Sequence, residues 1–218
     1  LRSEPALKVA AAHFGQKFLT DAHALIHADL HSGSVMVTPQ DTRVIDPEFA
    51  FCGPIGFDLG AFFGNLLLSW YSQPGHAGGG DDRVAYRQWI LQQARLFWES
   101  FRECFLALWA AHAGGDAYPA VMFSTAQDAA ALQAARRAFI DSLFADMLGF
   151  GACKMIRRIL GFAHVIDFDG IAGTAVRARC EAGALAMARA LLTQPQQFHS
   201  IDDVIEAVPL AERTPVPG

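Results

Sequence analysis

The sequence predicts a mainly helical α+β fold in which one small β patch carries polar loops. Three observations predict it. Short apolar runs at 24–27 ("ALIH"), 35–37 ("VMV") and 42–46 ("TRVID") are separated by turn-forming clusters, which is the signature of brief strands. From residue 58 onward the chain reads as helix almost to its end. Hydrophobic residues make up 52% of the 218 positions and charged residues 18%, enough for one substantial core or for one lobe of a larger protein.

Taken in order, residues 4–20 read as a helix with Ala6, Leu7, Ala10, Phe14, Phe18 and Leu19 near one face. "ALIH" is a strand leading into a loop over 28–34, and "VMV" pairs with "TRVID" as a hairpin around the turn "TPQD". "PEFAFCGPIGF" is read as irregular, because Pro47, Gly53, Pro54 and Gly56 punctuate it. Helices are then expected at 58–71, 82–112, 125–148, 152–165 and 173–193. "SQPGHAGGGDD" (72–82) is a connection between helices rather than a phosphate cradle, since no strand precedes it and no GxxxxGK[ST] follows. The stripe Trp89, Phe97, Trp98, Phe101, Phe105 and Trp109 is assigned to the core, with the wall of an apolar substrate pocket as its other use. Residues 1–210 form the folded unit and 211–218 ("AERTPVPG") a disordered tail.

Composition removes several function classes. A net charge of −5 without any basic block argues against a nucleic-acid or anionic-membrane partner. The longest apolar run, "LGAFFGNLLLSWY", contains Asn65 and is too short to span a bilayer, so it reads as a buried helix. Cys52, Cys104, Cys153 and Cys180 make no CxxC pair and read as buried, reduced thiols of a cytoplasmic protein. The opening stretch is a charged, Ala-rich helix rather than a signal peptide. The chain starts at Leu1, and its most chemical residues fall within the first fifty, so an N-terminal part is expected to be missing.

Those residues are His27, Asp29, His31, Ser34, Asp46, Glu48 and Asp58. A loop, a hairpin and a return bring Asp29 and Asp46 to the same end of a small sheet. With no lysine or arginine expected beside them, the two carboxylates repel unless a divalent cation or a shared proton resolves the charge. Magnesium suits such a site, because it takes one or two carboxylates and completes its shell with water and phosphate. An aspartate, a polar ligand five residues later and a second aspartate on the next hairpin is also the order of a phosphotransfer loop, here Asp29, Ser34 and Asp46. A metal-dependent hydrolase using His27, Asp29 and His31 remains the alternative from another class, although His76, His112, His164 and His199 are isolated. His27 reads as a structural histidine hydrogen-bonded beneath the loop, and Asp58, at the start of a buried helix, as an N-cap.

"LIHADLHSGSVMV" followed by "VIDPEFAFCGPIGFDLGAFFGNLLL", and later "SQPGH", "YRQWIL" and "KMIRRILGFAHVIDF", closely resembles the 5-methylthioribose kinases of methionine salvage. That family lies in the aminoglycoside-phosphotransferase-like branch of the protein-kinase-like fold. The resemblance implies a C-terminal lobe whose N-lobe, with its glycine-rich loop and phosphate-binding lysine, is absent, so the lobe alone would bind ATP poorly. It implies a homodimeric enzyme that uses ATP and Mg2+ to phosphorylate the anomeric hydroxyl of a small sugar. Asp29 would be the catalytic and substrate-binding aspartate; Asp46, Glu48 and Ser34 would hold magnesium against the nucleotide. Arg157 and Arg158 would reach the substrate pocket, and Asp58 would hold the loop backbone. Other acceptors (an aminoglycoside or choline) and a non-catalytic remnant are the competing readings. Ala28 stands where the family's loop carries glycine, a replacement expected to be tolerable on the premise that φ there is negative.

Overall fold

Two glycine-bearing helices set the frame. In the computed structural model, which describes residues 1, 3–112 and 117–212, the chain runs α1 (Pro5–Thr20), β1 (Ala24–Ile26), β2 (Val35–Val37), β3 (Thr42–Val44), β4 (Phe51–Gly53), α2 (Ile55–Ser72), α3 (Val84–Ala111), α4 (Ala126–Leu160), α5 (Ile166–Asp169), α6 (Thr174–Thr193) and α7 (Ile201–Ala211). α2 is the central element. Phe63, Leu67, Leu68 and Tyr71 on it are 1% exposed or less, and they pack among Leu143, Met147 and Met155 of α4 and Ala184, Met187 and Leu191 of α6. Each such side chain contributes about 1.5–3 kcal/mol by leaving water.

α2 and α4 approach closely because both lack side chains at the crossing. A Cβ on Gly60 would lie 2.6 Å from the Gly151 nitrogen, and one on Gly64 would lie 2.8 Å from the Gly151 oxygen. α4 is one helix of 35 residues, where two were expected at 125–148 and 152–165. "GFG" at 149–151 looks like a break, since each glycine costs a helix interior about 1 kcal/mol. Packing overrides that cost: a Cβ on Gly149 would sit 1.8 Å from the Phe14 ring of α1. Thr125 and Ser200 open α4 and α7 with capping boxes, each accepting the backbone N–H three residues on.

The β patch differs from the expected single sheet. β2 and β3 do form the hairpin, with Val35 opposite Val44, but β1 pairs antiparallel with β4, Ile26 opposite Phe51, in a separate two-stranded sheet. β4 falls in the stretch read as irregular; three residues between prolines show no alternation, and the pairing that makes them a strand is non-local. α5 and α7 were likewise not foreseen. The helix α7 carries on to Ala211, and the Tyr71 hydroxyl donates to the Val208 oxygen at 2.7 Å to hold it. Ala211 is the last residue of α7 and Glu212 pairs with Arg87, so these two residues of the expected 211–218 tail belong to the folded unit; residues 213–218 lie outside the described residues.

Of the first helix's expected apolar face, Leu7 is buried while Leu19 is 83% exposed. Within the aromatic stripe Trp98 is buried, but Trp89 is 48% exposed and stacks on Tyr86. Cys180 is buried, whereas Cys52 and Cys104 are exposed, against the expectation of four buried thiols. No helix among the described residues is long and apolar enough to cross a membrane.

Candidate active site

The loop after β1 is stapled to α2 at two points. Asp58, in the first turn of α2, accepts the backbone N–H of His27 at 2.6 Å and that of Ala28 at 2.9 Å. Pro54 is the helix N-cap, so Asp58 does not fill the capping role allowed for it. Burial pushes its carboxyl above the ordinary carboxylate value, against the opposing pull of the backbone N–H groups of His27, Ala28 and Leu30. Seven residues on, about two turns along the same face, Asn65 Oδ1 accepts the Ser32 N–H at 3.0 Å and also the Ser32 hydroxyl.

His27 closes the loop against the hairpin. Its Nε2 donates to the Ile45 oxygen at 2.8 Å and its Nδ1 accepts the Asp29 N–H at 3.3 Å, which assigns the neutral Nε2–H tautomer. With both ring nitrogens engaged, His27 has no lone pair for a metal. The Ser34 hydroxyl is buried and donates to the Asp29 oxygen at 3.1 Å. One network thus ties the backbone of Asp29 to the strand end just before Asp46.

The Asp29 side chain is not the unaccompanied carboxylate expected from the sequence. Lys154 Nζ of α4 donates to its Oδ1 at 3.0 Å, and His31 Nε2 stands 3.6 Å from Oδ2. Burial alone would raise this carboxyl. The hydrogen bond and charge of Lys154, with His31 and Arg158 behind it, outweigh that and hold it below the ordinary carboxylate value. Burial, with Arg158 and Arg157 nearby, pulls the Lys154 ammonium down, and Asp29 only partly offsets it. His31 Nδ1 accepts the Gly33 N–H at 3.0 Å, so its Nε2 carries the proton that faces Asp29.

Beside this carboxylate lies a small cavity of about 290 Å3, lined by His31, Lys154, Arg158, His164 and Asp167 among others. A larger, mostly apolar cleft of about 890 Å3 opens next to it between α2 and α3 and shares Ser32, Asn65 and Asp167 with it. Phe62, Tyr86, Trp89 and Phe97 help line the cleft. Of the adjacent arginines, Arg158 reaches the small cavity; Arg157 is exposed and is not part of its lining, as side chains about 100° apart on a helix require.

Asp46 and Glu48 are exposed, and neither makes an ion pair among the described residues. Asp46 adopts φ +66°, a left-handed conformation that aspartate tolerates better than most residues. Among the described residues no three His, Cys, Asp or Glu side chains converge on one point. Two open carboxylates match a cation that draws the rest of its shell from phosphate and water. Ser34 fits less well, since its hydroxyl is buried and already donates to the loop.

Ala28 has φ +67°, which corrects the expectation of a negative angle there. A Cβ in this region costs roughly 1–2 kcal/mol. The two N–H bonds around it to Asp58 and His27 hold the conformation in place. Ala28→Gly should therefore raise the unfolding free energy by about 1 kcal/mol, less the added chain entropy of glycine. Urea denaturation of the two forms checks it; an unchanged midpoint would mean that the loop relaxes in solution.

Sequence reading missed Lys154 and Asn65 as site residues. Each left a signal, a lone polar residue on the buried face of an apolar helix, as in "GACKMI" with Met155 and Gly151 buried beside Lys154.

Residues 3–97 match the phosphotransferase enzyme family. The chain is 46% identical over 215 residues to methylthioribose kinase 1 of Oryza sativa subsp. japonica, covering 98% of this chain and 49% of that protein. It is 45% identical over 197 residues to the methylthioribose kinase of Escherichia coli O45:K1 (strain S88 / ExPEC), covering 90% and 46%. With the methylthioribose kinase of Yersinia enterocolitica serotype O:8 the identity is 38% over 208 residues, covering 95% and 49%. The chain spans about half the length of the curated relatives it matches. By the family match over residues 3–97, and by similarity to these kinases along nearly its whole length, the chain belongs with the methylthioribose kinases in the phosphotransferase enzyme family.

Proposed function

We propose that the protein containing this chain phosphorylates the anomeric hydroxyl of 5-methylthioribose with ATP, as a step of methionine salvage, and that this chain is its catalytic C-terminal lobe. The observation that carries the reading is Asp29: a carboxylate on a loop stapled by Asp58 and Asn65, at the edge of a small polar cavity that joins an apolar cleft. An acceptor with a hydroxylated ring and a thioether end matches that pairing of surfaces. Asp29 Oδ2 orients the acceptor hydroxyl and takes its proton as the bond to phosphorus forms. Arg158, and His164 with it, line the cavity where the sugar oxygens would lie. Asp46 and Glu48 are the residues that would hold magnesium, which would neutralise phosphate charge during transfer. We also infer, from the motif resemblance alone, a homodimer acting in the cytoplasm.

The lining weighs against the rival acceptors. Lys154 and Arg158 face the cavity, with Asp167 its one lining carboxylate, and a polycationic aminoglycoside or the choline cation would meet mainly like charge there. The hydrolase reading requires His27 as a ligand, and its ring nitrogens are committed to Ile45 and Asp29. The test is ADP release and sugar phosphorylation by the full gene product containing this chain, with methylthioribose, choline and an aminoglycoside supplied in parallel. Transfer to methylthioribose alone is expected. Transfer to another acceptor only, or to none from folded protein, would overturn the assignment.

A further inference from the structure

We propose that Lys154 is the positioning residue of the reacting carboxylate, a buried ammonium on α4 that occupies Asp29 Oδ1 so that Oδ2 is presented to the acceptor hydroxyl. The inference rests on the kinase reading above and deepens it. Its basis is an asymmetry. Lys154 Nζ is 3.0 Å from Oδ1, a charge-assisted hydrogen bond, while His31 Nε2 is 3.6 Å from Oδ2, beyond hydrogen-bond length. One oxygen is held and the other is open. The burial is uneven in the same sense: the Lys154 side chain is 7% exposed and that of Asp29 35%.

The ammonium is well anchored. It stands one turn beyond Gly151, where α4 is pressed against Gly60 and Gly64 of α2, and the Phe57 ring closes another side with its centroid 6.0 Å from Nζ. Asp29 itself sits on a loop, where its backbone is fixed by His27 and Ser34 but its carboxylate could still rotate. The groups that face that carboxylate are the cations Lys154 and Arg158 from α4 and the titratable His31 from its own loop. Of these only Lys154 is within hydrogen-bond distance. A rigid helix thus sets the orientation that the loop leaves undetermined, and a reacting group displaced by about 1 Å loses about a hundredfold in rate.

The test is Lys154→Met in the full gene product. Because solvent reaches Asp29, the carboxylate left behind can be hydrated and the fold should persist; Lys154→Gln, which keeps a donor at similar length, replaces it if the Met form does not melt like the parent. The expected result is a loss of about a hundredfold in kcat with KM for ATP unchanged. Lys154→Arg should recover part of the rate, since it restores a cation to Oδ1. A folded variant with parental kcat would overturn the proposal, and so would an equal rise in both KM values with kcat intact. Should the parent itself fail to phosphorylate methylthioribose, the functional reading falls, and the orientation of Asp29 in a crystal structure of Lys154→Met decides the clamp separately. A rotated carboxylate supports it; an unmoved one sinks it.

Discussion

Asp29→Asn should reduce kcat for methylthioribose phosphorylation by about a hundredfold or more while leaving KM for ATP near the parental value. The amide keeps the size of the carboxylate and can still contact a hydroxyl, but it cannot accept a proton as the new bond to phosphorus forms. It also removes the charge that Lys154 faces, so a buried cation loses its partner. The variant should therefore melt below the parent near neutral pH. The pH dependence of that difference has a definite sign. The folded Asp29 carboxyl lies below its ordinary value because Lys154 outweighs burial, so its contribution to stability is present above the ordinary carboxylate range and is lost as pH falls through the folded value. Thermal melts of parent and variant should converge in acid. Parental kcat in the variant would remove Asp29 from the chemistry, and a melting difference that widened in acid would contradict the ion pair.

Much of the loop was legible in the sequence because its chemistry is local. The spacing of Asp29, Ser34 and Asp46 around a tight hairpin placed three residues on connected turns, and the network from Ser34 through Asp29 to His27 joins those turns. What stayed hidden came from distance along the chain. Lys154 meets Asp29 across 125 residues, and β4 becomes a strand only because β1 lies beside it. Periodicity in a window cannot report such partners. The continuity of α4 was hidden for a different reason: its glycines lower helix propensity locally, and only the facing glycines of α2 and the ring of Phe14 make that loss worthwhile. Ala28 shows the converse. Alanine suits negative φ, but the bonds on either side of its Cα, from the Ala28 N–H to Asp58 and from the Asp29 N–H to His27, hold the backbone at φ +67°.

The second large effect concerns those helix glycines, and its sign depends on the neighbour. Gly60→Ala should destabilise the fold by about 2–3 kcal/mol, although alanine is the better helix former by about 1 kcal/mol. The added Cβ would meet the Gly151 nitrogen at 2.6 Å and the Met147 oxygen at 2.7 Å, both backbone atoms that no rotamer change can move aside. α2 and α4 would have to part, and the consequence reaches the site. Asp58 rides on α2 and Lys154 on α4, so their separation shifts the loop staple relative to the ammonium that holds Asp29. Activity should fall together with stability. Gly15→Ala is the matched control: Gly15 is also inside a helix, but nothing lies within 4 Å of its would-be Cβ. There the change should stabilise by about 0.5–1 kcal/mol with activity untouched. Urea midpoints for both variants decide the matter. If both substitutions stabilised, the close crossing of α2 and α4 would be wrong, and with it the path by which Lys154 is brought to Asp29.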